Sequence, residues 1–86
     1  MKSHRMKCWP EPFAAILLGE KTAEVRRDDR GFAVDDELLL CEWDQLLERH
    51  TGREIVVVVR HIVPGGTFGL PSGLCVMSIA KRGPRS

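Results

Sequence analysis

Polar and apolar side chains alternate through Arg5-Met6-Lys7-Cys8-Trp9, the period of two expected of a half-buried first strand. The period then lengthens. Pro10, Glu11 and Pro12 suit a first helical turn, where the proline N–H is not needed and an acidic side chain meets the positive dipole end. Phe13, Ile16 and Leu17 share one face of a short helix that ends at Leu18, with Trp9 expected to pack beneath them. Gly19 supplies the left-handed residue after the last turn. Alternation returns from Thr22 to Arg27, which predicts a strand with Ala23 and Val25 towards the core and Thr22, Glu24 and Arg26 turned away from it. A turn at Asp28-Asp29-Arg30-Gly31, a brief extended piece at Phe32–Val34 and a second turn at Asp35-Asp36 lead into a leucine-rich strand, Glu37–Trp43. Asp44–Gly52 reads as a polar excursion, with a helical turn through Gln45–Glu48 and an exit turn at Thr51-Gly52. Four consecutive valines make Arg53–Val63 the strongest strand, one that needs partners on both sides. A glycine-rich loop, Pro64–Gly73, precedes a closing strand at Leu74–Ala80.

Short strands with one early helix predict an α+β fold, a small mixed β-barrel of about five to six strands, because closure removes reactive strand edges. The helix would plug one opening. With 86 residues the chain suits one domain, expected over 1–80, with a mobile basic tail at 81–86. The net charge of +1 excludes a strong overall basic excess, so any footprint for a nucleic acid must be local. No apolar run reaches membrane-spanning length and no secretory leader is evident, which predicts a cytoplasmic protein. Cys8, Cys41 and Cys75 are odd in number, far apart and set among apolar neighbours, the pattern of reduced packing thiols. No cysteine or histidine pair has ligand spacing, so neither a metal nor another cofactor is expected.

The densest cluster of chemical side chains runs from Gly19 to Arg30. Its spacing G-x-K-x-x-E-x-R, just after a short helix and entering a strand, resembles the signature of ASCH domains, members of the PUA-like barrel superfamily. Further blocks extend the likeness: His4 to Lys7, Trp9-Pro10, Arg26 to Arg30, Val34 to Asp36, Glu42-Trp43-Asp44, Thr51-Gly52-Arg53-Glu54 and Gly65-Gly66-x-Phe68-Gly69-Leu70. Together they resemble the small ASCH-like DUF3850 family of bacterial and phage proteins across nearly the whole chain. Asp35 departs from that pattern, which usually has glycine before the aspartate. The resemblance implies a PUA-like β-barrel with a cleft between the helix, the signature strand and the following loop, and RNA-related work by analogy.

The side chains carry their own chemistry. Lys21 is a compact charge able to hold a phosphate, or a base if burial lowers its pKa. Glu24 and Arg26, two residues apart on one strand face, can pair and align each other. Arg27 and Arg30 flank two aspartates and offer guanidinium groups to phosphates or base edges. His4 and Lys7 could point into the same cleft from the first strand, but a lone histidine is more often a surface or hydrogen-bonded structural residue, which leaves Lys7 as a secondary candidate. Trp43 is left open between stacking and packing, and Trp9 reads as core. Two functions follow. A binding module would recognise RNA or a modified nucleoside or nucleotide through Lys7, Lys21, Glu24, Arg26, Arg27, Arg30 and Trp43. A small metal-independent hydrolase of ribonuclease or amidohydrolase type would use Lys21 and Glu24 as catalytic groups. The amidohydrolase relatives among ASCH proteins carry threonine where this chain has Glu24, and Thr22 lies one pleat step away, so their nucleophile is not reproduced. An accessory module with a protein partner is the third reading.

Overall fold

The computed structural model describes residues 1–82. Five strands and one helix follow one another as β1 (Ser3–Cys8), α1 (Pro10–Leu17), β2 (Ala23–Arg27), β3 (Glu37–Asp44), β4 (Arg49–Val63) and β5 (Leu74–Lys81). They form one sheet of order β1-β3-β4-β5-β2, in which only β1 and β3 run parallel. The sheet curls into a half-barrel of five strands, at the low end of the expected count. Its open seam lies between the edge strands β1 and β2.

Proline at the helix start and Glu11 in the first turn place α1 where the sequence predicts it. The helix ends in a Schellman motif: the Gly19 N–H donates to the Ile16 carbonyl and the Glu20 N–H to the Ala15 carbonyl, with Gly19 at φ +78°. Phe13 and Ile16 are the buried face of α1, and they enter one core with Met6, Leu38, Leu40, Val57, Val59, Met77 and Ile79. Trp9 is a correction. It is 58% exposed and covers none of that core.

β4 is paired on both sides, with β3 and with β5, as its valine run requires. Its inner valines are Val57 and Val59, while Val56 and Val58 are half-buried on the other face. The strand starts four residues earlier than the valines announce. Gln45–Glu48 is a turn of the β3–β4 hairpin rather than part of a polar excursion, and Thr51-Gly52 is a bulge within β4 rather than an exit turn. Between the pairs Cys41↔Glu54 and Trp43↔His50, three β4 residues oppose Glu42 alone, and Gly52 takes φ +96°. Phe32–Val34 forms no strand.

Lys81, expected in the tail, belongs to β5, and its Nζ donates to the Leu17 carbonyl at the helix end. Arg82 pairs with Glu37 at 2.6 Å. The rest of that tail, 83–86, lies outside the described residues. Asp35, where the related pattern has glycine, takes φ +77°, the left-handed region that glycine occupies without a Cβ clash. No helix among the described residues is long and apolar enough to cross a membrane.

Candidate functional site

The Schellman turn places Lys21 two residues ahead of β2. Three positions later the strand turns Glu24 inward, to 4% exposure, and leaves Val25 57% exposed. This reverses the predicted facing of β2: the polar row looks into the half-barrel and the apolar residues look out. A buried carboxylate must be compensated by cations and donors. Lys21 Nζ donates to Glu24 Oε1 at 2.6 Å, and Arg26 Nε donates to Glu24 Oε2 at 2.8 Å. Lys21 Nζ also donates to the Ala23 carbonyl. Both carboxylate oxygens are thus held by cations.

Arg26 has a second function in the seam. Its Nη2 donates to the Lys7 carbonyl on the free edge of β1 at 2.9 Å, and Arg30 Nη1 donates to the Arg5 carbonyl at 2.8 Å. Arg26 therefore links the two edge strands, and Arg30 the loop after β2, where no backbone ladder does. Such capping blunts edges that would otherwise template other strands.

Two grooves open along this seam, and Lys7 and Arg26 line both. The first, of about 390 Å³, runs past Trp9, Pro12, Lys21, Glu24 and Val25 and has Cys8 in its wall. Burial pushes the Cys8 thiol up, and the nearby Glu24 charge adds to it, so the thiol stays protonated and is a poor nucleophile at neutral pH. The second, of about 380 Å³, is lined by Arg5, Met6, Arg30, Cys41 and His50 besides the shared pair. Burial likewise raises the Cys41 thiol.

The grooves gather Lys7, Lys21, Glu24, Arg26 and Arg30. Arg27 lines neither: it is exposed at the far end of β2. Trp43 stands behind Lys7, whose Nζ sits 3.8 Å from the centre of its ring, while His50 meets the ring edge-on at 4.9 Å. Trp43 thus positions a cation, and the exposed indole at the first groove is Trp9. His4 does not share a face with Lys7. It is buried on the inner side of β1, where its ring meets Phe32 and Nε2 bonds Asp36 Oδ2 at 2.9 Å.

Arg5, Trp9 and His50 were not singled out for the grooves by the sequence. The alternation of β1 could have paired Arg5 with Lys7, because residues two apart share a strand face. His50 reaches the same place only through the β3–β4 hairpin. Glu42 forms a separate buried centre near Cys8, taking a hydrogen bond from Thr51 Oγ1 at 2.6 Å beneath Arg53. Among the described residues no group of three or more His, Cys, Asp or Glu side chains could hold a metal ion.

Comparison with known proteins agrees with this span of structure. The family model described as "Domain of unknown function (DUF3850)" matches residues 3–79, from the first strand into the last. An Escherichia phage P2 protein, described as an uncharacterized 12.9 kDa protein in the GpA 3′ region, is 39% identical over 54 residues, 63% of this chain and 48% of that protein. The chain spans about half the length of this curated relative. It belongs to the DUF3850 family.

Proposed function

We propose that this DUF3850 member is a recognition module of the ASCH, PUA-like type, which binds RNA or a nucleotide in the first groove without cleaving it. The observation that carries the reading is the pair of cations fixed on one buried carboxylate, beside an exposed indole in an open groove. Three side chains there sum to one positive charge, and each cation keeps N–H groups beyond those that hold Glu24. Those donors suit a phosphate oxygen, and Trp9 offers a stacking face for a base. Prepaid alignment of the donors lowers the ordering cost of binding.

The hydrolase reading needs an available base. Both Glu24 oxygens already accept hydrogen bonds from cations, and Lys21 Nζ is committed to Glu24 and the Ala23 carbonyl. Thr22 is absent from the lining of the first groove and shares another crevice with Lys21, Ile79 and Lys81. These contacts favour holding over chemistry.

The test is to incubate the protein, Lys21→Ala and Trp9→Ala with a labelled mixed RNA pool at two salt concentrations, scoring mobility shift and cleavage. Intact RNA should shift with the wild type, less so at high salt because phosphate contacts release counterions. Trp9→Ala should weaken binding by about 1–3 kcal/mol, the contribution of one stacked base. Lys21-dependent cleavage would replace the module with a hydrolase, and a wild type that neither shifts nor cleaves RNA would count against RNA as the ligand in both readings.

A further inference from the structure

The seam has a regular spacing of its own. Arg26 and Arg30 are fixed on the carbonyls of Lys7 and Arg5, two residues apart along the edge of β1. Alternate strand residues repeat every ~6.6 Å. That is about one nucleotide step of an extended single strand. Beside these guanidinium groups lie Arg5, Lys7 and His50, all lining the second groove, which has no carboxylate among its lining residues. Arg26 is held by Glu24 at 2.8 Å, but the acidic contacts of the other two arginines are loose: Glu54 stands 3.5 Å from Arg5 and Asp29 stands 3.9 Å from Arg30. Among the described ion pairs none involves Lys7, whose ammonium is held over Trp43 instead. In a chain whose net charge is only +1, this is a marked local concentration of positive charge.

We propose that the second groove is a second phosphate subsite, so that the seam takes a single-stranded oligonucleotide of two or more linked nucleotides in preference to a free nucleotide. This rests on the reading of the first groove as a base and phosphate site. One nucleotide occupies Trp9, Lys21 and Arg26. The next phosphate along the strand sits between Arg30, Arg5 and Lys7, with His50 at the outer rim. The shared wall of Lys7 and Arg26 makes the two grooves one continuous track. Trp43 keeps Lys7 aimed along it.

The experiment compares dissociation constants for the four nucleoside 5′-monophosphates with those for 5′-phosphorylated mixed-sequence dinucleotides, on the wild type, Lys21→Ala, Arg30→Gln and Arg5→Gln. Both second-groove variants change exposed side chains, and a thermal melt of each confirms that it is folded. Dinucleotides should bind at least tenfold more tightly than monophosphates. Arg30→Gln and Arg5→Gln should each reduce that gain and leave monophosphate affinity within twofold, while Lys21→Ala weakens both ligands. The slope of log affinity on log salt should steepen by about 0.7 for the second phosphate. Equal affinity for the two ligand lengths, or a gain that survives both second-groove variants, would overturn the subsite and leave the first-groove reading in place. Wild type that binds neither ligand would remove the first-groove reading and the subsite with it.

Discussion

Asp36 shows how much one side chain can organise. It is 2% exposed and accepts from the Lys2 and Ala33 backbone N–H groups as well as from His4 Nε2. A carboxylate only accepts, so His4 must carry its proton on Nε2. The His4 hydrogen bond, more than offsetting burial and helped by the two backbone donors, holds the Asp36 carboxyl down to about 2 from an ordinary 3.8. The folded pKa lies below the unfolded one, so the unfolded chain binds more protons in this window and stability rises with pH. The contribution is complete above about pH 4 and is lost as pH falls through 2, roughly 2 kcal/mol in all. Urea denaturation between pH 5 and 2 should show this loss, and Asp36→Asn should flatten that part of the profile. An unchanged profile in the variant would assign the acid loss to other carboxylates. At this scale the sequence paired Glu24 with Arg26, because residues two apart share a strand face, whereas Lys21 reaches Glu24 from the turn ahead of β2. It did not reveal which of them was buried, since Glu24 inside and Val25 outside invert the hydrophobic expectation.

The helix terminus is the element on which the first groove depends. Gly19 has open space around a would-be Cβ, so the difficulty of any substitution there is conformational. A left-handed non-glycine residue costs about 1–2 kcal/mol. Gly19→Ala should therefore lower stability by about that amount in equilibrium denaturation, and RNA binding should weaken with it because the Schellman turn sets the position of Lys21. Stability equal to wild type would mean that the turn is not what holds the helix end. Gly65 presents the opposite case, with a Cβ that would meet the Leu74 carbonyl oxygen at 2.5 Å and the Pro71 carbonyl oxygen at 2.7 Å. The glycine-rich loop thus packs backbone on backbone. Helix α1 was readable from its prolines, apolar spacing and glycine because those signals are local. The β3–β4 hairpin was misread because its strand pairing runs through polar residues, and the bulge at Gly52 looks like a turn in one dimension.

Across the whole molecule, the open edge of the half-barrel is managed by arginines. Arg26 ties Glu24 on β2 to the Lys7 carbonyl on β1, and Arg30 adds a second tie to the Arg5 carbonyl. Arg26→Ala would leave a buried carboxylate with one cation and an edge carbonyl with none. Its side chain is 28% exposed, so solvent weakens the ion pair, and a loss of about 1–2 kcal/mol is expected rather than the larger cost of a dry buried pair. Amide exchange should quicken along β1 and β2 and stay slow in β4, and Arg26→Lys should restore only part of the loss because one ammonium lacks the two-sided fork. Uniform exchange across the sheet would show that the seam does not depend on Arg26. The composition, the strand and helix periods and the G-x-K-x-x-E-x-R spacing were enough to determine a small α+β chain with one early helix, a central valine strand and a charged cluster after the helix. Those are consequences of local sterics and of burial patterns that recur every two or every three to four residues. Which face of β2 looks inward, that Trp9 stands in the groove while Trp43 supports Lys7, and that Arg5, Arg30 and His50 meet across the seam were decided by the tertiary structure. They depend on pairings between residues tens of positions apart, and a buried carboxylate flanked by two cations can outweigh the ordinary preference for turning valine inward.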